Sequence, residues 1–201
     1  MPRLLLVRHG DTKLNSRKRF WGVTDVELSS AGIRQAERLR DYLASEKIDA
    51  VYSSNLKRAL VTAEIIASKH KLDVVICPEL REIDFGEFEG LAFNEIGQRY
   101  PEFTKLWVKR SPKLKYPGGD SLEEFTNRVI TFLSRLDKHT AEDTILIVAH
   151  SGVIRTLICQ LTGIDLRKRW QFRTDLASLS IVETYSQGAI ISLLNDTSHL
   201  K

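Results

Sequence analysis

The chain has 201 residues, 42% of them hydrophobic and 28% charged, a balance that suits one folded domain and excludes both a disordered chain and a membrane-embedded one. Thirty lysines and arginines against 26 acidic residues favour anionic partners in general without selecting a class. Cys77 and Cys159 are too far apart for a Cys-x-x-Cys metal motif, and no apolar run approaches the roughly 20 residues that cross a bilayer, so a cytoplasmic protein without signal peptide or span is expected.

Arg3 to Val7 is a short apolar run that stops at a charged residue and a glycine, the pattern of a buried strand feeding a loop. From Ser30, the spacing of Ile33, Ala36, Leu39 and Leu43 predicts an amphipathic helix. Asp49 to Ser53 reads as a second strand, Leu56 to His70 as a second helix and Leu72 to Cys77 as a third strand. After Pro78 comes a stretch rich in glycine and acidic residues, then polar and aromatic helical pieces up to a turn at Pro117-Gly118-Gly119. Residues 91–120 are therefore expected to form a lid or insertion within a single domain over 1–201. Ser121 and Glu124 make a capping-box pattern ahead of an apolar face that runs from Phe125 to Leu136. Thr144 to Ala149 is a fourth strand, followed by a helix over 152–161 and a hairpin with arms Leu179–Thr184 and Ala189–Leu194.

Strands alternating with helices predict an α/β fold of three layers, α/β/α, with a mostly parallel sheet, helices on both faces and one antiparallel edge. Ligands in such sheets bind beyond the carboxyl ends of the strands. The first strand exits into Arg8-His9-Gly10, the second into Ser53-Ser54-Asn55 with Arg58 one turn further on, and the fourth into His150-Ser151-Gly152. Alone, Arg58 reads as a solvated helix residue and each histidine as a structural one. Their convergence at one sheet edge points to chemistry on an anion.

Phosphoryl transfer needs such a set, because the protein's main task is to position the group and neutralise its oxygens. Arginine does this with a fixed bidentate fork. A neutral imidazole, here His9, can act as nucleophile, since neighbouring arginines lower its pKa. Backbone N–H groups near Gly10 and at the helix start by Gly152 are expected to add anion donors. The run Glu82-Ile83-Asp84-Phe85-Gly86-Glu87-Phe88-Glu89-Gly90 supplies carboxylates for a general acid, and Glu82, nearest the strand end, is the choice; its alternative reading is a surface salt bridge with Arg81.

These residues resemble the histidine phosphatase, or phosphoglycerate mutase-like, superfamily over nearly the whole chain. Leu5-Leu6-Val7-Arg8-His9-Gly10-Asp11-Thr12 is similar to its signature, with Asn15 at the usual place. Trp21-Gly22-Val23-Thr24-Asp25, Ser53-Ser54-Asn55-Leu56-Lys57-Arg58-Ala59 and Val148-Ala149-His150-Ser151-Gly152 follow in the expected order. Asp11 replaces the usual glutamate or glutamine, and Asp120 stands where many relatives carry glutamate. The resemblance implies a phosphoglycerate mutase-like fold and a metal-independent phosphatase that needs no cofactor. Its phosphohistidine would form on His9, with Arg8, Arg58 and His150 as the phosphate clamp, Glu82 as acid, and Asn15, Trp21, Gly22, Ser151 and Gly152 lining the phosphate or substrate.

Mutases of the superfamily are typically longer, which favours hydrolysis of a small-molecule phosphate monoester here. The Glu82–Gly90 run and Trp170-Gln171-Phe172-Arg173 resemble α-ribazole phosphatases, which act on a cobalamin precursor, so α-ribazole 5′-phosphate is one expected substrate. A broad-specificity phosphatase and a phosphoglycerate mutase-type phosphotransferase remain alternatives. In the 93–116 segment, Trp107 and Tyr100 are candidates for stacking on substrate, and Lys105, Lys109, Arg110, Lys113 and Lys115 for anionic groups, against packing and solubility roles.

Other classes fit less well. A serine hydrolase at Ser151 lacks the Gly-x-Ser-x-Gly elbow. Mixed basic and acidic helices argue against nucleic acid as a partner. A phosphate-sensing interaction protein would be expected to have lost His9 or Glu82. A homodimer is compatible with the sequence.

Overall fold

A computed structural model describes residues 2–14 and 19–201. The apolar runs form six strands, β1 (Arg3–Arg8), β2 (Ala50–Ser53), β3 (Val74–Ile76), β4 (Thr144–Ala149), β5 (Leu179–Tyr185) and β6 (Gly188–Asp196). They join one sheet in the order β3-β2-β4-β1-β5-β6. The first four in that order are mutually parallel, and β5 runs antiparallel to both β1 and β6. The third strand is shorter than the predicted Leu72–Cys77: it pairs on one side only, and Val75 and Ile76 face solvent.

Among the described residues six α-helices complete the layers: α1 (Ser30–Tyr42), α2 (Lys57–His70), α3 (Phe93–Arg99), α4 (Pro101–Val108), α5 (Leu122–Thr131) and α6 (Ser151–Thr162). Alternate residues of the central strands face opposite layers. Leu4, Leu6, Ile145 and Ile147 pack with Phe125 and Val129 of α5 and Ile154 and Leu157 of α6. Leu5, Val7, Leu146 and Val148 pack with Leu39 of α1 and Ala63 and Ile66 of α2. Cover on both faces explains why β1 and β4 are continuously apolar instead of alternating. Each such buried aliphatic side chain contributes about 1.5–3 kcal/mol of hydrophobic stabilisation.

Local chemistry sets the helix ends. Ser29 caps α1 by accepting the Gly32 N–H at 3.0 Å. The Ser121–Glu124 capping box opens α5, with Glu124 N–H donating to Ser121 Oγ (3.1 Å) and Ser121 N–H to Glu124 Oε2 (2.7 Å). The periodic pattern beyond it tightens into a 3-10 turn over Phe132–Leu136, so α5 ends at Thr131. Gly163, left-handed at φ 70°, stops α6 as a glycine C-cap does. No helix among the described residues is long and apolar enough to cross a membrane.

Candidate active site

Strand register assembles the centre of the site. β1 and β4 are parallel with Arg8 opposite Ala149, so the next residue of each strand, His9 and His150, must emerge side by side. His9 N–H indeed donates to Ala149 O at 3.1 Å, and the two imidazole centroids are 5.1 Å apart. Strand β2 flanks β4 on its other side and delivers Ser54, whose Oγ lies 2.9 Å from His150 Nε2.

A hydrogen bond to a backbone carbonyl fixes the tautomer of His9. His9 Nδ1 lies 2.8 Å from Gly10 O, which can only accept, so this nitrogen carries the proton. Its Nε2 is left with a lone pair, toward which Arg58 Nε donates at 3.3 Å. Burial, then the charges of Arg58 and Arg8, hold the His9 pKa well below the ordinary histidine value, and only the bond to Gly10 opposes them. Burial, Arg58 and His9 do the same to His150. Both rings are therefore neutral at neutral pH.

The arginines are held by carbonyls. Arg58, in the first turn of α2, donates to Gly22 O (2.5 Å) and Thr24 O (2.9 Å), and Arg8 Nη1 donates to Thr174 O (2.7 Å). Burial lowers the pKa of both guanidinium groups, and Glu82 is the leading opposing charge. Buried polar atoms without partners are rare in folded proteins. Three that find no partner among the described residues, Arg8 Nε, His150 Nδ1 and Trp21 Nε1, belong to residues lining a single small cavity with His9, Arg58 and Glu82. Such a cavity suits a compact anion that supplies several acceptor oxygens.

Glu82 follows a short 3-10 turn after β3 and is nearly buried. Its Oε1 accepts Ile83 N–H and its Oε2 accepts Gly152 N–H, both at 3.0 Å. This arrangement corrects two expectations. The Gly152 amide, expected to serve an anion, is engaged by Glu82, and the Gly10 amide donates to Thr62 Oγ1 at 3.2 Å. The alternative of a Glu82–Arg81 salt bridge is also absent among the described residues.

Arg8, Trp21 and Glu82 also wall a second, larger space of about 330 Å³ that contains Ser151 and Gly152. Trp107 lines it, whereas Tyr100 donates its hydroxyl to Glu87 and packs on Phe88, 4.8 Å between centroids. None of Lys105, Lys109, Arg110, Lys113 and Lys115 is in its wall. Gly22 contributes its carbonyl to Arg58 and Ser151 Oγ bonds Thr174 Oγ1 at 2.6 Å. Asn15 lies outside the described residues.

Several supporting residues escaped the sequence reading. The Glu89 carboxylate accepts the N–H groups of Gly22, Val23 and Thr24 and the Thr24 hydroxyl, and so fixes the loop whose carbonyls hold Arg58. Asp25 Oδ1 accepts Lys57 N–H at the start of α2, in place of a local cap. Arg128 binds Asp120 (3.0 Å) and the Arg81 and Glu82 carbonyls, which steadies the loop that carries Glu82. Among the described residues no cluster of three or more His, Cys, Asp and Glu is placed to hold a metal ion.

A doubly covered α/β sheet with paired histidines and arginines beyond its parallel strands defines a phosphate-handling class of protein. The model of the histidine phosphatase superfamily (branch 1) matches residues 4–197, and the chain belongs to that superfamily. It is 38% identical over 200 residues to phosphoserine phosphatase 1 of Hydrogenobacter thermophilus, covering 100% of this chain and 95% of the relative. It is 33% identical over 193 residues to adenosylcobalamin/alpha-ribazole phosphatase of Escherichia coli, covering 96% and 95%. The crystal structure of the alpha-ribazole phosphatase from Shigella flexneri superimposes with a TM-score of 0.88 at 33% identity, over 96% of each chain.

Proposed function

We propose that this protein hydrolyses small-molecule phosphate monoesters through a covalent phosphohistidine on His9. The observation that carries the reading is the state of His9: its proton is on Nδ1, bonded to Gly10 O, and Nε2 is unprotonated beside Arg58. The Nε2 lone pair attacks phosphorus while the P–O bond to the leaving alcohol breaks. Arg8, Arg58 and His150 neutralise the nonbridging oxygens, with the unpartnered Arg8 Nε and His150 Nδ1 as donors. Glu82 acts as the general acid toward the departing oxygen. Water then attacks the phosphohistidine, Glu82 takes the water's proton, and inorganic phosphate leaves with His9 restored.

No step uses a metal ion, since the cationic side chains already supply the charge that a metal would bring. Turnover of p-nitrophenyl phosphate by the purified chain in excess chelator tests this; a strict requirement for a divalent ion contradicts it.

α-Ribazole 5′-phosphate is a second, narrower reading of the substrate. It is favoured by the aromatic wall of the larger cavity, where Trp107 and Trp170 lie 6.3 Å apart, and by the relatives that carry that activity in their names. Phosphoserine is the corresponding candidate from the 38% identical relative.

A further inference from the structure

The larger cavity holds two positive charges that a single phosphate leaves unused. Arg155 on α6 and Arg169 in the 3-10 turn over Leu166–Gln171 both line it, and their guanidinium carbons lie 5.5 and 4.8 Å from the Trp170 indole centroid. Arg169 is buried and Arg155 half-buried. A buried arginine is normally paired with a carboxylate. Neither has a carboxylate within ion-pair distance among the described residues. Each is held by a neutral carbonyl, Arg155 Nε donating to Phe172 O (2.8 Å) and Arg169 Nη1 to Leu166 O (3.0 Å).

Arg8 and Arg58 are anchored in the same manner, on carbonyls, and their uncompensated charge is what a phosphate would neutralise. Glu82 is the one carboxylate in the walls of the two spaces, and it faces the reacting end. Burial lowers the pKa of the Arg155 and Arg169 guanidinium groups; Arg155 adds to the lowering at Arg169, while Glu82 and Asp175 oppose it at Arg155 through space without bonding that side chain. Two such guanidinium groups, outside the walls of the small cavity yet lining the larger space together with Arg8, match a second anion on the substrate.

We propose that Arg155 and Arg169 form a carboxylate-binding subsite, so that the preferred substrates are phosphate monoesters carrying a carboxylate at the end away from the phosphate. The guanidinium fork fits a planar carboxylate in two parallel bonds, and a site built to pair such a group discriminates strongly against an analogue lacking it. The proposal rests on the phosphatase reading above and narrows it.

Two matched pairs test it: O-phosphoserine against phosphoethanolamine, and 3-phosphoglycerate against glycerol 3-phosphate. In each pair the second member lacks the carboxylate. The wild-type chain is expected to prefer the carboxylate member in kcat/KM by about tenfold or more, and the preference is expected to fall toward unity in Arg155→Gln and Arg169→Gln. Equal turnover within both pairs by the wild type overturns the subsite, as does a preference that survives in both variants. So does a preference for α-ribazole 5′-phosphate over both carboxylate esters. The wild-type comparison decides even if the buried Arg169 variant does not fold. p-Nitrophenyl phosphate separates the two levels: turnover of it without carboxylate preference removes the subsite alone, and no turnover of any ester removes the phosphatase reading with it.

Discussion

Arg58 Nε donates toward His9 Nε2 across 3.3 Å, a bond that exists only while the imidazole is unprotonated. The arginine therefore has two effects on the proposed nucleophile: its N–H occupies the lone pair until a phosphate oxygen takes that N–H over, and its charge keeps a proton away.

The pH dependence follows from that pairing. The folded-state pKa values of His9 and His150 lie well below 6.5, while the unfolded chain's histidines titrate near about 6.5. Below that pH the unfolded state binds more protons than the folded one, so the stability present above about 6.5 is lost as pH falls toward the depressed folded values. Each histidine contributes a slope of up to about 1.4 kcal/mol per pH unit in that window. Urea unfolding at pH 7.5 and pH 5 should show a lower midpoint at pH 5. Turnover of p-nitrophenyl phosphate should survive below pH 6.5; turnover lost with a midpoint at or above 6.5 contradicts the assignment.

Glu82→Gln removes the proton but keeps the shape. For alkyl phosphates, whose leaving groups need protonation, kcat/KM should fall by about 10²–10⁴-fold, and for p-nitrophenyl phosphate far less. Equal losses on both esters would take Glu82 out of the acid's role.

Gly152→Ala probes the same acid from the opposite side. A Cβ there would stand 2.4 Å from Glu82 Oε1 and 3.3 Å from Phe125 Cζ, so the carboxylate must move. A displacement of that order is expected to cost roughly 10²-fold in kcat on alkyl phosphates. Circular dichroism should be unchanged, and full activity would show that Glu82's seat is not needed.

Glu89 is expected to act at a distance, as a positioning residue. Glu89→Gln places an amide against the N–H groups of Gly22 to Thr24. The cost should be about 1–3 kcal/mol of stability, and inhibition by inorganic phosphate should weaken because Arg58 loses its rigid carbonyl seat. Lowered stability with an unchanged phosphate Ki would confine Glu89 to folding.

What the sequence made legible was the part governed by local pattern. Buried strands, amphipathic helices and the Ser121–Glu124 cap are written in contiguous residues, and the histidines and arginines were found because each sits just past a strand end. What stayed hidden depends on contacts between distant segments. Glu89 bonds Gly22 across 67 positions, and from its own neighbourhood it is one carboxylate in an acidic run. Gly152's amide looked free because its partner, Glu82, lies 70 positions away. The short β3 reflects its place at the sheet edge, which the apolar run from Leu72 to Cys77 cannot specify.

The most direct measurement is capture of the covalent intermediate. Rapid quenching of the wild-type chain during turnover, followed by peptide mass spectrometry under alkaline conditions, should find one phosphoryl group on His9, labile to acid and missing in His9→Ala. A phosphoryl group on another residue, or a burst of leaving group with His9 unmodified, would contradict nucleophilic catalysis by this imidazole.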